Sequence, residues 1–196
     1  MKLPLFPLNT VLFPGCTLDL QIFEARYLDM IGRCMKQGEG FGVVAILEGQ
    51  EVGDAASRFA AIGCEALIRD WQQQPNGLLG IRVEGGRRFH VNSAEVLRDQ
   101  LTLAEVEWLE DSGEQSLLPE HADLAALLDV LAEHPMVQSL GMGGVVQGQQ
   151  ALANQLAYLL PFSLKEKLQL LGMGDPLQRL AFLQGMLDEL QGESIA

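Results

Sequence analysis

The chain has 196 residues, enough for one large domain or two small ones, and 48% are hydrophobic, which excludes a disordered chain and allows a core without disulfide or metal staples. Thirteen Lys and Arg stand against 26 Asp and Glu, and the resulting charge of −13 repels phosphate backbones and anionic lipid. From Leu109 onward only Lys165, Lys167 and Arg179 are basic, against a dozen acids, so the charge argues against nucleic acid most strongly in the second half.

The apolar run from Leu3 to Cys16 has the outline of a signal peptide but not its details. One positive charge precedes it, Pro4, Pro7 and Pro14 interrupt it, and bulky Phe13 and Pro14 stand where small residues precede a cleavage site. No stretch reaches the roughly 20 apolar residues of a membrane span. A cytoplasmic chain with no membrane partner is expected.

Residues 3–8 are extended, and their prolines predict an edge strand or a strand entering a barrel. Phe13-Pro14-Gly15 is a turn. Leu18, Leu20 and Ile22 alternate with polar residues, the period of a half-buried strand. From Phe23 to Lys36 the period lengthens, with Tyr27, Leu28, Ile31 and Met35 on one helical face and Gly38 as the stop. Phe41–Leu47 is a continuous apolar run, the mark of a buried strand. Ile62, Cys64, Ala66 and Ile68 alternate, Pro75-Asn76-Gly77 turns, and Leu79, Ile81 and Val83 alternate again. Gly85-Gly86 is read as a further turn. Strands over Arg88–Val91 and Leu101–Trp108 complete a series of about six, with one inserted helix, and imply a closed or nearly closed β-barrel.

At Trp108–Glu114 the composition becomes acidic and flexible, which sets the boundary between residues 1–110 and 111–196. The second part is helical. Leu124, Leu127, Leu128 and Leu131 share a face, a glycine-rich connection follows from Gly141 to Gly148, and Leu152, Leu156, Leu159 and Leu160 form a second face ending before Pro161. Ser163 and Glu166 have the spacing of a capping box for a short third helix. Asp175-Pro176 opens a fourth, with Gln178 at the box position, whose apolar residues cover more than half its girth and predict burial on more than one side.

No chemistry is visible in these residues. Cys16, Cys34 and Cys64 are too few and too scattered for a disulfide framework or a metal site. His90, His121 and His134 lie in different elements without metal-ligand spacing. Gly141-Met142-Gly143-Gly144-Val145-Val146 lacks the ending of a nucleotide loop and follows a helix. No cofactor is expected and no catalytic residue is assigned. The charged residues that interrupt apolar motifs are Glu24 and Arg26 in IFEARY and Arg87 and Arg88 in GGRRFHV. They are either pocket charges that contact a bound peptide or ion pairs that pin the inserted helix to the barrel, with Glu24 expected to pair with Arg26 or Arg88.

The string LPLFPLNTVLFPGCTLDLQIFEARY, then FGVVAIL, then GGRRFHV, in that order, resembles the N-terminal substrate-recognition domain of Lon-type ATP-dependent proteases. The stretch LANQLAYLLPFSLKEKLQLLGMGDPLQRLAFLQGMLDEL resembles the helical part that follows it there. The resemblance implies an α+β fold, a PUA-like β pseudo-barrel with an inserted helix followed by a C-terminal helical bundle. It also implies a stand-alone, non-catalytic module, without the ATPase motifs and the Ser-Lys peptidase domain. Its implied partners are unfolded or flexible protein segments, with self-association, and an adaptor role in protein quality control follows. The alternative is a small-molecule or RNA-binding PUA-like module, with Arg82, Arg87, Arg88 and Arg98 as a basic strip.

Overall fold

The computed structural model describes residues 1–193, and the chain divides into two compact units, Met1–Leu109 and a second from Glu110 onward. The architecture is α+β, with a six-stranded sheet and six α-helices among the described residues.

The first unit carries β1 (Lys2–Leu8), β2 (Thr17–Ile22), α1 (Ala25–Gln37), β3 (Phe41–Glu48), β4 (Arg58–Gln73), β5 (Leu79–Val96) and β6 (Thr102–Trp108). The strand order is β2-β5-β4-β3-β1-β6, and β5 also pairs with β6, so the ladder from β5 through β4, β3, β1 and β6 returns to β5. Two strands are long enough to serve twice. The first half of β5 pairs with β2 and its second half with β6, while β4 pairs with β5 from Leu79 to His90. Beyond the closed ring, β2 and the distal halves of β4 and β5 form a three-stranded overhang.

β1 is not an edge strand, in spite of its prolines. Val106 N–H donates to Met1 O at 2.8 Å, so odd residues of β1 turn their hydrogen-bonding groups toward β6 and even ones toward β3. Pro4 aims its nitrogen toward β3, whose pairing with β1 begins only at Leu5, and Pro7 toward β6, whose pairing ends at Leu5. Both missing N–H groups fall where no ladder requires them. The strand can therefore lie inside the sheet and bury Leu3 and Leu5 with Val44, Phe89, Ala104 and Val106. The leucine, valine and phenylalanine side chains each contribute about 1.5–3 kcal/mol on leaving water. Gly63 provides the space for Phe89, since a Cβ there would lie 2.5 Å from Phe89 Cζ.

Gly85-Gly86 does not turn the chain either; β5 runs straight through it. Cys64 pairs with Arg88 and Ala66 with Gly85, a bulge with the extra residue on β5. Gly85 donates to Cys16 O and accepts from Gly15 N–H, both at 2.8 Å, so the β1–β2 connection lies against the strand here. A Cβ at Gly85 would collide with the carbonyl of Phe13, so the glycine serves close approach rather than a turn.

Helix α1 ends where Gly38 adopts φ 68° and returns its N–H to Cys34 O. Its buried face is Arg26, Tyr27, Met30, Ile31 and Cys34, while Leu28 and Met35 are 39% and 40% exposed. The expected stripe is thus rotated, because Tyr27 stacks on Phe6 with ring centroids 3.9 Å apart and fixes which side of the helix faces the sheet.

The second unit carries α2 (Ala122–Ala132), α3 (Pro135–Ser139), α4 (Gln149–Leu159), α5 (Leu164–Gly172) and α6 (Pro176–Glu193). The short α3 had no periodic signal. It is started by His134, whose Nδ1 accepts from Met136 N–H at 3.2 Å. Glu114 reaches the first turn of α4, accepting from the N–H groups of Gln150 at 2.7 Å and Ala151 at 3.1 Å, a carboxylate where the helix dipole favours one. Ser163 and Glu166 form the reciprocal box, with Glu166 N–H on the Ser163 hydroxyl at 3.2 Å and Ser163 N–H on the Glu166 carboxylate at 2.7 Å. Leu177 N–H donates to Asp175 Oδ1 at 3.0 Å and starts α6. That helix buries Arg179, Leu180, Leu183 and Met186 but leaves Leu177 and Leu190 exposed, so it packs along one stripe rather than on several sides. Arg179 is fully buried and donates to Asn154 Oδ1 and Met173 O, which ties α6 to α4 and to the end of α5.

Candidate binding surfaces

The four charged residues singled out in the sequence fall in two places. Glu24 immediately precedes α1 and pairs with Arg26 at 3.1 Å, their side chains 20% and 5% exposed. Arg26 also donates to Gln100 O at 2.8 Å and lies 4.6 Å from the Tyr27 ring centroid. Gly53 N–H reaches Glu24 at 3.4 Å and Ala55 N–H reaches the Gln100 side chain at 3.3 Å. The start of α1, the β3–β4 loop and the β5–β6 turn thus meet on one ion pair. Burial pushes the Tyr27 hydroxyl pKa up, a shift that the neighbouring Arg26 opposes.

Arg87 and Arg88, adjacent on β5, point to opposite faces. Arg87 is outside, bidentate on Glu65 at 3.2 and 3.3 Å, with its guanidinium 3.8 Å from the Trp108 ring centroid. Arg88 is 1% exposed and lies opposite Cys64 in the ladder. Glu65 was missed in the sequence. Its signal is a single acid in the alternating run Ile62-Cys64-Ala66, out of phase with the apolar positions.

The open surfaces lie elsewhere. On the overhang a depression of about 660 Å³ is lined by Asp19 and Gln21 of β2, Trp71 and Gln72 of β4, Gln74, and Arg82 of β5. Arg82 is bidentate on Asp19 at 2.7 and 2.8 Å, and this hydrogen bonding raises its pKa further. Trp71 is 55% exposed and also borders a hollow of about 280 Å³ beside Met35 and Leu67. A slot of about 160 Å³ runs between β2 and the segment at Glu51-Val52. In the second unit a groove of about 500 Å³ separates α5 from α6, with Phe182 and Met186 on its wall.

The remaining reactive side chains are engaged in structure. His90 contacts Asn92 at 3.3 Å, His121 Nδ1 accepts from Leu118 N–H at 3.2 Å, and His134 starts α3. Cys16, Cys34 and Cys64 are buried, and burial pushes the Cys34 thiol pKa up, away from the thiolate that reacts. Among the described residues no three His, Cys, Asp or Glu side chains gather as a metal site, and no helix is long and apolar enough to cross a membrane. The surfaces offer shape, amides, one exposed indole and carboxylates, which is the equipment of binding.

Comparison with known proteins agrees with this inventory. Residues 2–189 match the family described as the ATP-dependent protease La (LON) substrate-binding domain. Lon proteases of Flavobacterium johnsoniae and Vibrio parahaemolyticus are 25% and 22% identical over 97% and 96% of the chain. The chain spans 24% of the length of each, so its 196 residues correspond to the substrate-binding domain and do not contain the ATPase and protease domains. Among solved structures, a Lon N-terminal domain protein from Xanthomonas campestris superposes with a TM-score of 0.77 at 37% identity, covering 94% of this chain and 98% of that one. The N-terminal domain of the Mycobacterium avium complex Lon protease shares the fold, with a TM-score of 0.63 at 20% identity over 93% and 96% of the two chains. Matched along nearly its whole length, the chain is a member of the Lon substrate-binding domain family.

Proposed function

We propose that the chain binds unfolded or flexible segments of other proteins and acts as an adaptor that presents them for quality control. In this reading the closed ring of strands is a PUA-like pseudo-barrel serving as a rigid mount. Residues 111–196 are a helical bundle subdomain, and the overhang of β2, β4 and β5 is the working surface. The observation that carries the proposal is Trp71. A large indole stays 55% in water above an amide-lined depression, on a stretch of β4 that the closed ring does not use. An exposed aromatic beside polar groups is the usual anchor of a protein-binding surface.

A pull-down with a permanently unfolded model protein and its folded form tests this. The unfolded form is expected to be enriched, and Trp71→Ala to weaken its capture by about tenfold or more, the loss typical of a central aromatic anchor. Equal capture of both forms overturns the proposal.

The RNA-binding alternative loses its main support. Of the four arginines that would form a basic strip, Arg82 is neutralised by Asp19, Arg87 by Glu65, and Arg88 is buried.

A further inference from the structure

The overhang ends in an edge. β2 is the last strand of the order and, among the described residues, pairs with β5 alone. Gly85 N–H donates to Cys16 O, which sets the even residues of β2 toward β5, so Asp19 and Gln21 direct their backbone N–H and C=O away from the sheet. The slot beside this edge holds about 160 Å³. That is well under the roughly 300–1,000 Å³ of small-molecule sites, and it suits one side chain carried in on a backbone. Its apolar wall includes Phe23 and Val52, which are 52% and 53% exposed. Three carboxylates line it. Asp19 is answered by Arg82 and Glu24 by Arg26, whereas Glu51 accepts only a backbone N–H, from Asn9 at 2.6 Å, among its described contacts. The slot therefore keeps a negative excess, in a chain of net charge −13.

We propose that the outer edge of β2 receives an extended protein segment as an added antiparallel or parallel strand, with an apolar side chain seated against Phe23 and Val52 and a Lys or Arg beside Glu51. The added strand takes its affinity from main-chain hydrogen bonds, and the slot selects every second side chain. This deepens the protein-recognition reading above and rests on it: the client is an extended segment of alternating apolar and basic character. An edge left in this state elsewhere invites unwanted pairing, and the flanking carboxylates restrict which strands can approach.

The experiment measures binding of the full chain to three fluorescein-labelled decapeptides by anisotropy: alternating Val-Lys, the same peptide N-methylated at every residue so that neither of its edges can donate, and alternating Val-Glu. The Val-Lys peptide is expected to bind at least tenfold tighter than either of the others. Gln21→Pro removes one outward N–H without touching the β5 ladder, and is expected to lower Val-Lys affinity about tenfold, with its far-UV circular dichroism and thermal unfolding midpoint compared with wild type as the folding control. Glu51→Gln is expected to weaken Val-Lys binding several-fold. Equal affinity for the N-methylated peptide, or an unaltered affinity in Gln21→Pro, overturns the edge proposal. If such a variant still captures the unfolded model protein through Trp71, the wider recognition reading stands without it. If the wild-type chain binds neither the peptides nor the unfolded protein, both fall.

Discussion

Arg26 shows how a charge inside an apolar motif is used. It is nearly buried, it holds Glu24 and the Gln100 carbonyl at once, and its plane lies near Tyr27. Only a guanidinium has the fork for two such partners. Arg26→Ala strands a partly buried carboxylate and frees the start of α1, and is expected to cost about 3 kcal/mol in urea unfolding. Arg26→Lys is expected to recover less than half of that, since an ammonium cannot reach both acceptors in the same geometry. The sequence IFEARY made this pair readable, because Glu24 and Arg26 are neighbours on the chain. Glu65 was not readable in the same way. Its partner Arg87 is 22 residues away in sequence, and only the β4–β5 register brings them to 3.2 Å.

Among the elements, those with local causes could be read and those with distant causes could not. The box at the start of α5 needs only Ser163 and Glu166, four residues in all, and it is present as its spacing implies. Gly85-Gly86 has the composition of a turn, but the reason for the glycine is the carbonyl of Phe13, more than seventy positions earlier. The face of α1 was displaced for the same reason, since the stacking of Tyr27 on Phe6 decides it. The box also has a pH signature. Hydrogen bonds from the Ser163 hydroxyl, and then from its backbone N–H, hold Glu166 below its ordinary pKa of 4.5. A depressed carboxylate contributes its stability above the unfolded pKa and loses it as pH falls through the folded value. Separately, Ser163 is the N-cap of α5, and Ser163→Ala is expected to lower stability by about 1 kcal/mol, the usual cost of removing such a cap. In thermal unfolding at stepped pH, the gap between wild type and Glu166→Gln is expected to be present at neutral pH and to close below pH 4.5.

For the whole molecule, the shift from six strands to helices was visible as a change of period and of charge near Leu109, and each side has a core of its own. In the first unit the core centres on Leu5, Val44 and Phe89, and in the second Leu152, Leu156, Leu180 and Leu183 are fully or almost fully buried. Separate cores are what independent domains require. Leu156→Ala is expected to cost about 2–5 kcal/mol. With the proposed division, hydrogen exchange should place that loss in α4 and α6 and leave the amides of β5 as protected as before. Equal loss of protection in β5 would mean that the units unfold as one.

The position of β1 inside the sheet also fixes how this molecule must acquire its shape. Lys2 pairs with Glu105, so the ring closes only when segments about a hundred residues apart meet, and the entropy of that closure comes due before its contacts form. Such long-range pairing is slow, on the order of milliseconds to seconds for strand-rich domains. Until β6 arrives, the hydrogen-bonding groups on the odd side of β1 and the side chains of Leu3 and Leu5 lie open. The refolding yield of the first unit is thereby tied to protein concentration, through a strand whose prolines guard only the sides that the finished sheet leaves unpaired at Pro4 and Pro7.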